Sequence, residues 1–594
     1  MALRLGPTQF LGLAWRKFRK RAGYNRMLRD VPRSNTTAHW RDIVPAFQTQ
    51  NLSADHAAIL AKADAMLRDE NCFFTFPYRF RRIDRPWEFD PMERKYWPRR
   101  RYSEQALHAE DTPQDVKIVW EINRFKDLPT LGQAAVLTNE KKYAEEAQER
   151  MRSWVHENPF AQTINWASSL EISIRLIAWT TTIALLKKAG LLTEVPHEIA
   201  RSIFEQASYL DNDLSTDKVV PTNHLIGEAA GLYIISSLWE FPKSREFVAG
   251  AKRILEREML RQTFPDGVTR EASSWYHQFV TDFCDLAQRV GPLAQDSWSE
   301  QFRGRLAGMK AFVNAMTVDG ELVRYGDADD GWALWLEGNR AFWIDAIYGP
   351  PVTLAVEPPA FFQLPSQVVS ARVEASFLFL RAGAFGMGGN GASSHAHDDF
   401  LSPIIYLDGR PVLVDPGTFV YNGDRENRTK YRMAEAHNGI IIGSGTGAVQ
   451  RMNFGWHEVR PDAKILKADF ASDAATVTAE YGEWARHSRT IRIKLASAVI
   501  TDEFKSPSSL PCRWFLHLAP EWKLTEQEFN GYRFQNAGGQ SLHLALHGPF
   551  DKIEVATYDF SPSYRVQVPA TMIQLSAQHP SREYVIRLTI DSAP

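Results

Sequence analysis

The densest run of chemistry-bearing side chains in this 594-residue chain is Ser393-Ser394-His395-Ala396-His397-Asp398-Asp399. On an extended backbone, residues two apart point to the same side, so His395 and His397 can reach one small site together. Downstream come Asp415, in Leu413-Val414-Asp415-Pro416-Gly417, and His437, in Ala434-Glu435-Ala436-His437-Asn438. Two imidazoles and one carboxylate make a zinc donor set, with water or a further protein group completing four-coordination. Surface-loop histidines and a turn aspartate are the competing reading of the same residues. The spacing also carries a difficulty. Asp408-Gly409 between two apolar runs signals a two-residue hairpin. Held in register, it sets Leu407 opposite Arg410 and Asp415 opposite Ser402, leaving His397 roughly 17 Å farther on at strand rise. A shared metal then requires the chain before Leu401 to fold back, or a bulge to shift the register.

Three further stretches could carry chemistry. In Pro221-Thr222-Asn223-His224-Leu225-Ile226-Gly227-Glu228, Thr222 reads as a helix N-cap, so Asn223 and His224 open a helix. His224 and Glu228 then share a face, and Gly227 and Gly231 permit close packing of a second helix. An amide and an imidazole at a helix start favour an anionic ligand; capping plus a packed seam is the plainer alternative. In Arg270–Phe279, Tyr276 opens a stripe with Phe279, Val280 and Phe283. It is a core tyrosine or a general base and acid, and the second role needs its pKa pulled down from about 10. Gly326-Asp327-Ala328-Asp329-Asp330-Gly331 lacks the spacing and terminal Glu of a calcium loop and reads as a capped turn. No phosphate loop of GxxxxGK[ST] type, no GxSxG and no HExxH occurs.

The elements that must hold these residues change character near residue 365. Before it, apolar spacing is mostly helical, as in 170–179, 251–261 and 302–316. After it, short alternating segments separated by turns dominate, as in 375–381, 404–407, 412–414, 476–479 and 490–494. Helices followed by strands predict an all-α part, then an all-β part. We place the boundaries at 1–100 for an Arg-, Trp- and Pro-rich N-terminal extension packed on the helices, 101–365 for the helical domain and 366–594 for the strand domain.

With 69 Lys and Arg against 71 Asp and Glu, the formal net charge is −2, so nothing global points to nucleic acid. The basic runs Arg16–Arg21 and Arg99–Arg101 read as solvated faces; a polyanion would need such a local groove. Cys72, Cys284 and Cys512 form neither a disulfide framework nor a CxxC pair and are expected to be free and mostly buried. The strongest positive cluster of the N-terminus follows its apolar stretch and no small-residue cleavage site is present, so no signal peptide is expected. No uncharged apolar run reaches the roughly 20 residues of a bilayer span. The expectation is a cytoplasmic protein without membrane insertion, with the periplasm left open.

The order of Asn-His at a helix start, a Tyr-His helix, then HxH with a following VDPG and AHN, resembles the heparinase II/III superfamily of polysaccharide lyases, which includes heparinase III-like enzymes and related alginate lyases. The resemblance runs from about Asp115 to about Asn438 and is strongest over 394–438; Trp120–Arg124 and Asn165-Trp166 extend it toward the N-terminus. It implies an incomplete (α/α) toroid followed by an antiparallel β-sandwich. By motif, Asn223 and His224 correspond to the pair that neutralises a substrate carboxylate, Tyr276 and His395 to the catalytic tyrosine and histidine. His397, Asp415 and His437 correspond to the ligands of one structural Zn2+, which favours the folded-back segment. Tyr421 and Arg428 fall where substrate contacts are expected, and Glu228 takes a weaker supporting role there. The implied reaction is β-elimination on a uronic-acid polysaccharide or oligosaccharide, with a heparan-like glycosaminoglycan first and alginate or another polyuronate as the alternative. Two other classes compete: a glycoside hydrolase using two of Glu228, Glu271 and Asp327, and a polysaccharide-binding protein without turnover.

Overall fold

The computed structural model describes residues 22–31, 33–42, 44, 56–100, 114–217, 220–351, 361–363, 365–387, 394–443, 445, 448–451, 453–456, 463–481, 487–504, 510–528, 531–578 and 583–591. The basic run Arg16–Arg21 lies outside them. The chain forms two compact units: Met1–Arg261 with Phe279–Leu306 and Gly331–Leu354, and Gln262–Gln278 with Ala307–Asp330 and Ala355–Pro594.

The first unit is helical. Its helices include α1 (Leu128–Thr138), α2 (Ser169–Lys188) and α3 (Asn223–Leu238). Every residue of α2 from Ser169 to Leu186 is buried, as expected of a helix that is apolar all round. By length and composition α2 could cross a membrane, but here it is wholly enclosed, with α1 and α3 packed against it. Small residues set the approach. A Cβ on Gly231 would lie 1.7 Å from Ser173 Oγ, and one on Gly227 2.4 Å from Leu170. The predicted close seam is therefore real, and Ser173 Oγ donates across it to the Gly227 carbonyl at 2.6 Å. Arg124 pairs with Glu171 through two bonds of 2.6 and 2.7 Å, and Asn123 and Asn165 both donate to the Trp87 carbonyl. The Trp120–Arg124 and Asn165-Trp166 motifs thus anchor helices.

In the second unit, helix α4 (Ser274–Leu293) contributes its first turn. Strands β1 (Val368–Val373), β2 (Ser376–Arg381), β3 (Ile404–Leu407) and β4 (Arg410–Leu413) belong to a five-stranded antiparallel sheet of order β4-β3-β2-β1 and then 361–363. An eight-stranded antiparallel sheet packs on it and includes β5 (His487–Lys494) and β6 (Ser497–Phe504); β7 (Cys512–His517) belongs to a third, four-stranded sheet. Alternation explains β2: Leu378 and Leu380 enter the core shared with the large sheet, while Phe377 and Phe379 face Phe312, Met316 and Tyr325. The sheet is buried on both faces, which is why β2 reads as a continuous apolar run.

Both routes out of the hairpin difficulty are taken. Leu407 pairs with Arg410 as predicted, but Ile405 pairs with Leu413, so a bulge shifts the register. Leu401 adopts φ 51°, and its N–H donates to the Arg381 carbonyl, turning the preceding segment back. Cys72, Cys284 and Cys512 are free; Cys72 is exposed and the other two are buried.

Candidate active site

The first turn of α4, the 326–330 loop, the 394–399 segment and the 415–437 stretch all belong to the second unit. Gly326 lets two of them meet. It sits at φ +65°, and a Cβ there would lie 2.3 Å from the Ala272 carbonyl oxygen. The next N–H, of Asp327, donates to the His395 carbonyl at 3.0 Å, while Ser273 Oγ donates to the Asp327 carbonyl at 2.5 Å. Residues 394–399 form turn and coil instead of the extended backbone expected. Buried arginines replace strand pairing there. Arg432 donates to the carbonyls of Ser394 and Ala396 at 3.1 and 3.2 Å, and Arg381 holds Asp399.

The centre of this arrangement is the fully buried carboxylate of Asp327. Its Oδ2 accepts from His395 Nδ1 at 3.0 Å and its Oδ1 from His397 Nε2 at 2.8 Å. Arg428 grips both oxygens with its two Nη groups, Nη2 at 2.6 Å. Four donors fill the lone-pair sites of a carboxylate. Burial alone would raise its pKa, but Arg428 and the two imidazoles outweigh that and hold it well below the usual range. His395 and His397 do reach one small site together, and that site is a carboxylate.

On His395 lies the phenol of Tyr276, ring centroids 3.5 Å apart and planes within 15°. Tyr421 donates to the Tyr276 oxygen at 3.1 Å, and Tyr276 donates to Asp329 Oδ2 at 3.3 Å. Burial, with Asp327 and Tyr276 adding to it, raises the Tyr421 pKa well above 10, so Tyr421 stays a proton donor. A phenol, an imidazole and a second phenol therefore form one hydrogen-bonded and stacked group, fit for proton transfer at adjacent atoms.

His397, Asp415 and His437 form a second group. One donor atom from each lies within 4.8 Å of the others, and all three are buried. Asp415 Oδ2 accepts from His437 Nδ1 at 3.1 Å and its Oδ1 accepts from the Gly417 N–H at 3.0 Å. His397 Nδ1 and His437 Nε2 are buried with no hydrogen-bond partner. Orphaned imidazole nitrogens beside a carboxylate suit a divalent metal ion, so the residues fit.

Asn223, His224 and Glu228 stand on α3 in the helical unit. Three placements bear on the sequence reading. Glu228 holds the 215 turn: one oxygen accepts from the Ser215 N–H at 2.6 Å and the other from Ser215 Oγ at 2.8 Å. Arg428, expected among the substrate contacts, is fully buried with both Nη groups on Asp327. Thr222 occupies the N-cap with extended dihedrals, but its side chain makes no capping bond.

Comparison with known proteins bears on the whole chain. Residues 21–333 match the family model described as Heparinase II/III N-terminus, and residues 362–589 match Heparinase II/III-like, C-terminal. The chain belongs to the heparinase II/III family. A curated member, the heparin-sulfate lyase of Pedobacter heparinus, is 24% identical over 361 residues, covering 55% of this chain and 52% of that protein. The match thus spans about half that relative's length. A heparinase III crystal structure superposes with a TM-score of 0.65 at 16% identity, over 93% of this chain and 88% of that one. Chondroitin AC lyase of Streptomyces coelicolor, solved with chondroitin sulphate, gives 0.51 at 11% identity, over 92% and 81%. The predicted fold class, an incomplete (α/α) toroid followed by an antiparallel β-sandwich, is that of the heparinase III structures.

Within this heparinase II/III fold, the sequence offered Asp327 only as a hydrolase carboxylate, and Asp329, Arg381 and Arg432 were passed over. The signal was faint: an acid-rich loop bracketed by glycines in the otherwise helical half, taken as a capped turn. Its three acids do three jobs. Asp327 binds the histidines, Asp329 accepts from Tyr276, and Asp330 accepts from the Tyr564 N–H at 2.6 Å.

Proposed function

We propose that the protein is a polysaccharide lyase that cleaves a uronic-acid polymer, of heparan-like glycosaminoglycan type, by β-elimination. The observation that carries this reading is the stacked Tyr276–His395 pair, with Tyr421 bonded to the same phenol oxygen. The C5 proton of a uronate is weakly acidic because its carboxylate is already negative. Asn223 and His224, assigned by the family motif, take that carboxylate and stabilise the enolate-like charge. A base removes the C5 proton, the electron pair forms the C4–C5 double bond, the C4–O4 bond breaks, and O4 leaves with a proton. Tyr276 delivers the proton to O4. Sugar stereochemistry decides the base: Tyr276 itself when H5 and O4 share a face, His395 when they lie on opposite faces.

Zn2+ is the metal proposed for His397, Asp415 and His437, where it orders the segment carrying His395 instead of taking part in proton transfer. Its removal by a chelator is expected to lower both thermal stability and rate; an unchanged melt and rate after verified metal loss would remove the assignment.

The hydrolase alternative loses two of its three carboxylates, since Asp327 is filled by four donors and Glu228 by two. The direct test incubates purified protein with a panel of acidic polysaccharides and follows ultraviolet absorbance of the unsaturated uronate end. Tyr276→Phe is expected to lower turnover by about 10³-fold with substrate binding retained. Reducing ends appearing without absorbance would identify hydrolysis, and binding without any turnover in the native protein would identify a binding protein.

A further inference from the structure

The geometry points to Asp327 as a positioning residue that sets two imidazoles at once, joining the metal group to the proton-transfer group; the inference rests on the lyase reading above. Its carboxylate accepts from His395 through Nδ1 and from His397 through Nε2. A carboxylate without a proton can only accept, so each contacted nitrogen must carry the hydrogen. On His395 this leaves Nε2 with its lone pair, the form a base requires. On His397 it leaves Nδ1 with its lone pair, and that atom is buried without a hydrogen-bond partner in the group with Asp415 and His437. One carboxylate thereby presents opposite nitrogens of two histidines to two different tasks.

The backbone reinforces the pairing, because the Asp327 N–H donates to the His395 carbonyl and Gly326 makes room for that contact. Arg428 completes the carboxylate, its two Nη groups meeting the two oxygens. Carboxylate partners of metal-bound histidines usually change metal affinity 10–100-fold when removed, and a misoriented catalytic histidine costs several orders of magnitude in rate. A merely structural carboxylate would do neither.

The test compares the native protein with Asp327→Asn and with Asp502→Asn, whose buried carboxylate bonds to His487, Arg489 and Trp514 and to neither His395 nor His397. Zn2+ affinity is measured by competition with a chromophoric chelator, kinetics by double-bond absorbance, and folding by circular dichroism. For Asp327→Asn we expect Zn2+ affinity down at least 10-fold and kcat down at least 100-fold, with KM within about threefold; Asp502→Asn keeps both values near native. Should Asp327→Asn not fold, Asp327→Glu keeps the charge for Arg428 but displaces both imidazoles, and the same paired loss is expected. Native Zn2+ affinity and native kcat in a folded Asp327 variant would overturn the proposal, as would a loss confined to KM. If the native protein turns over no polysaccharide, the lyase reading fails while the Zn2+ arm still decides whether Asp327 orients His397.

Discussion

Two buried aspartates in the second unit look alike by composition and differ in use. Asp327 holds His395, His397 and Arg428; Asp502 holds His487 at 2.7 Å, Arg489 at 2.8 Å and Trp514 Nε1 at 2.9 Å. Around Asp502 every one of these partners comes from a strand: Arg489 sits directly opposite it in the β5–β6 ladder, His487 lies on the same β5, and Trp514 lies on β7 of another sheet. Around Asp327 the partners lie 68, 70 and 101 residues away and reach it through loops and one short helix, α5 (Arg425–Lys430). The Asp502 histidine lies against Phe504, which cannot exchange a proton, whereas His395 lies against Tyr276 and His397 belongs to a group that could hold a metal ion. A carboxylate–imidazole–guanidinium cluster is therefore not a functional signature; what the far nitrogen of each imidazole meets decides.

The comparison can be broken most directly at Asp502. Asp502→Asn leaves Arg489 buried and without its counter-charge, and is expected to cost about 3–5 kcal/mol of stability with kcat of the folded protein within twofold of native. Denaturant unfolding and turnover at low temperature read the two quantities separately. A kcat collapse without unfolding would erase the distinction between the clusters.

Acid sharpens the contrast. Burial opposes ionisation of Asp502, but Arg489 and His487 outweigh it and hold its pKa well below the usual range. A depressed carboxylate contributes stability above its unfolded pKa near 4 and loses it as pH falls further. His277, the residue after Tyr276 in the sequence, behaves differently. Its Nδ1 accepts from the Thr269 N–H, its Nε2 donates to the Met309 carbonyl, and burial pushes its pKa down to about 4. The fold thus favours neutral His277. Its contribution is complete above the unfolded value of about 6.5 and is lost as pH falls toward 4, worth about 3 kcal/mol. Stability measured by denaturant should therefore begin to fall below pH 6.5, and His277→Gln should flatten that limb while leaving the Asp502 limb below pH 4. An unchanged limb would assign the loss elsewhere.

The smallest effect belongs to a charge pair two residues from Arg428. Lys430 reaches Asp559 at 2.6 Å, but both side chains are about half exposed. Such pairs contribute about 0–1 kcal/mol. Lys430→Ala should leave the melt and the rate nearly native, showing that position on α5 matters less than enclosure.

Periodicity made much of this legible. The α-then-β order follows from the switch near residue 365, and the seam at Gly227 and Gly231 from spacing alone. The hairpin register at Leu407 and Arg410 was readable from Asp408-Gly409, whereas the bulge that follows was not, because no local residue type demands it. The HxH pair stood out as a spacing, but its true partner did not. Asp327 is far away in sequence, and nothing in an acid-rich loop says which distant histidine will fill it. Arg428 is hard to read for a related reason: a guanidinium serving substrate and one neutralising a buried carboxylate have the same sequence appearance, and only enclosure separates them.

The excursions of Gln262–Gln278 and Ala307–Asp330 into the second unit have an evolutionary corollary. Residues 334–361 separate the two family-model matches, yet Tyr276 and Asp327 lie on one side of that junction and their histidines on the other. A chimera spliced at this junction would confront one parent's phenol and carboxylate with another parent's imidazoles. Such a chimera is therefore expected to fit its two halves poorly, even though each carries a recognisable family signature of its own.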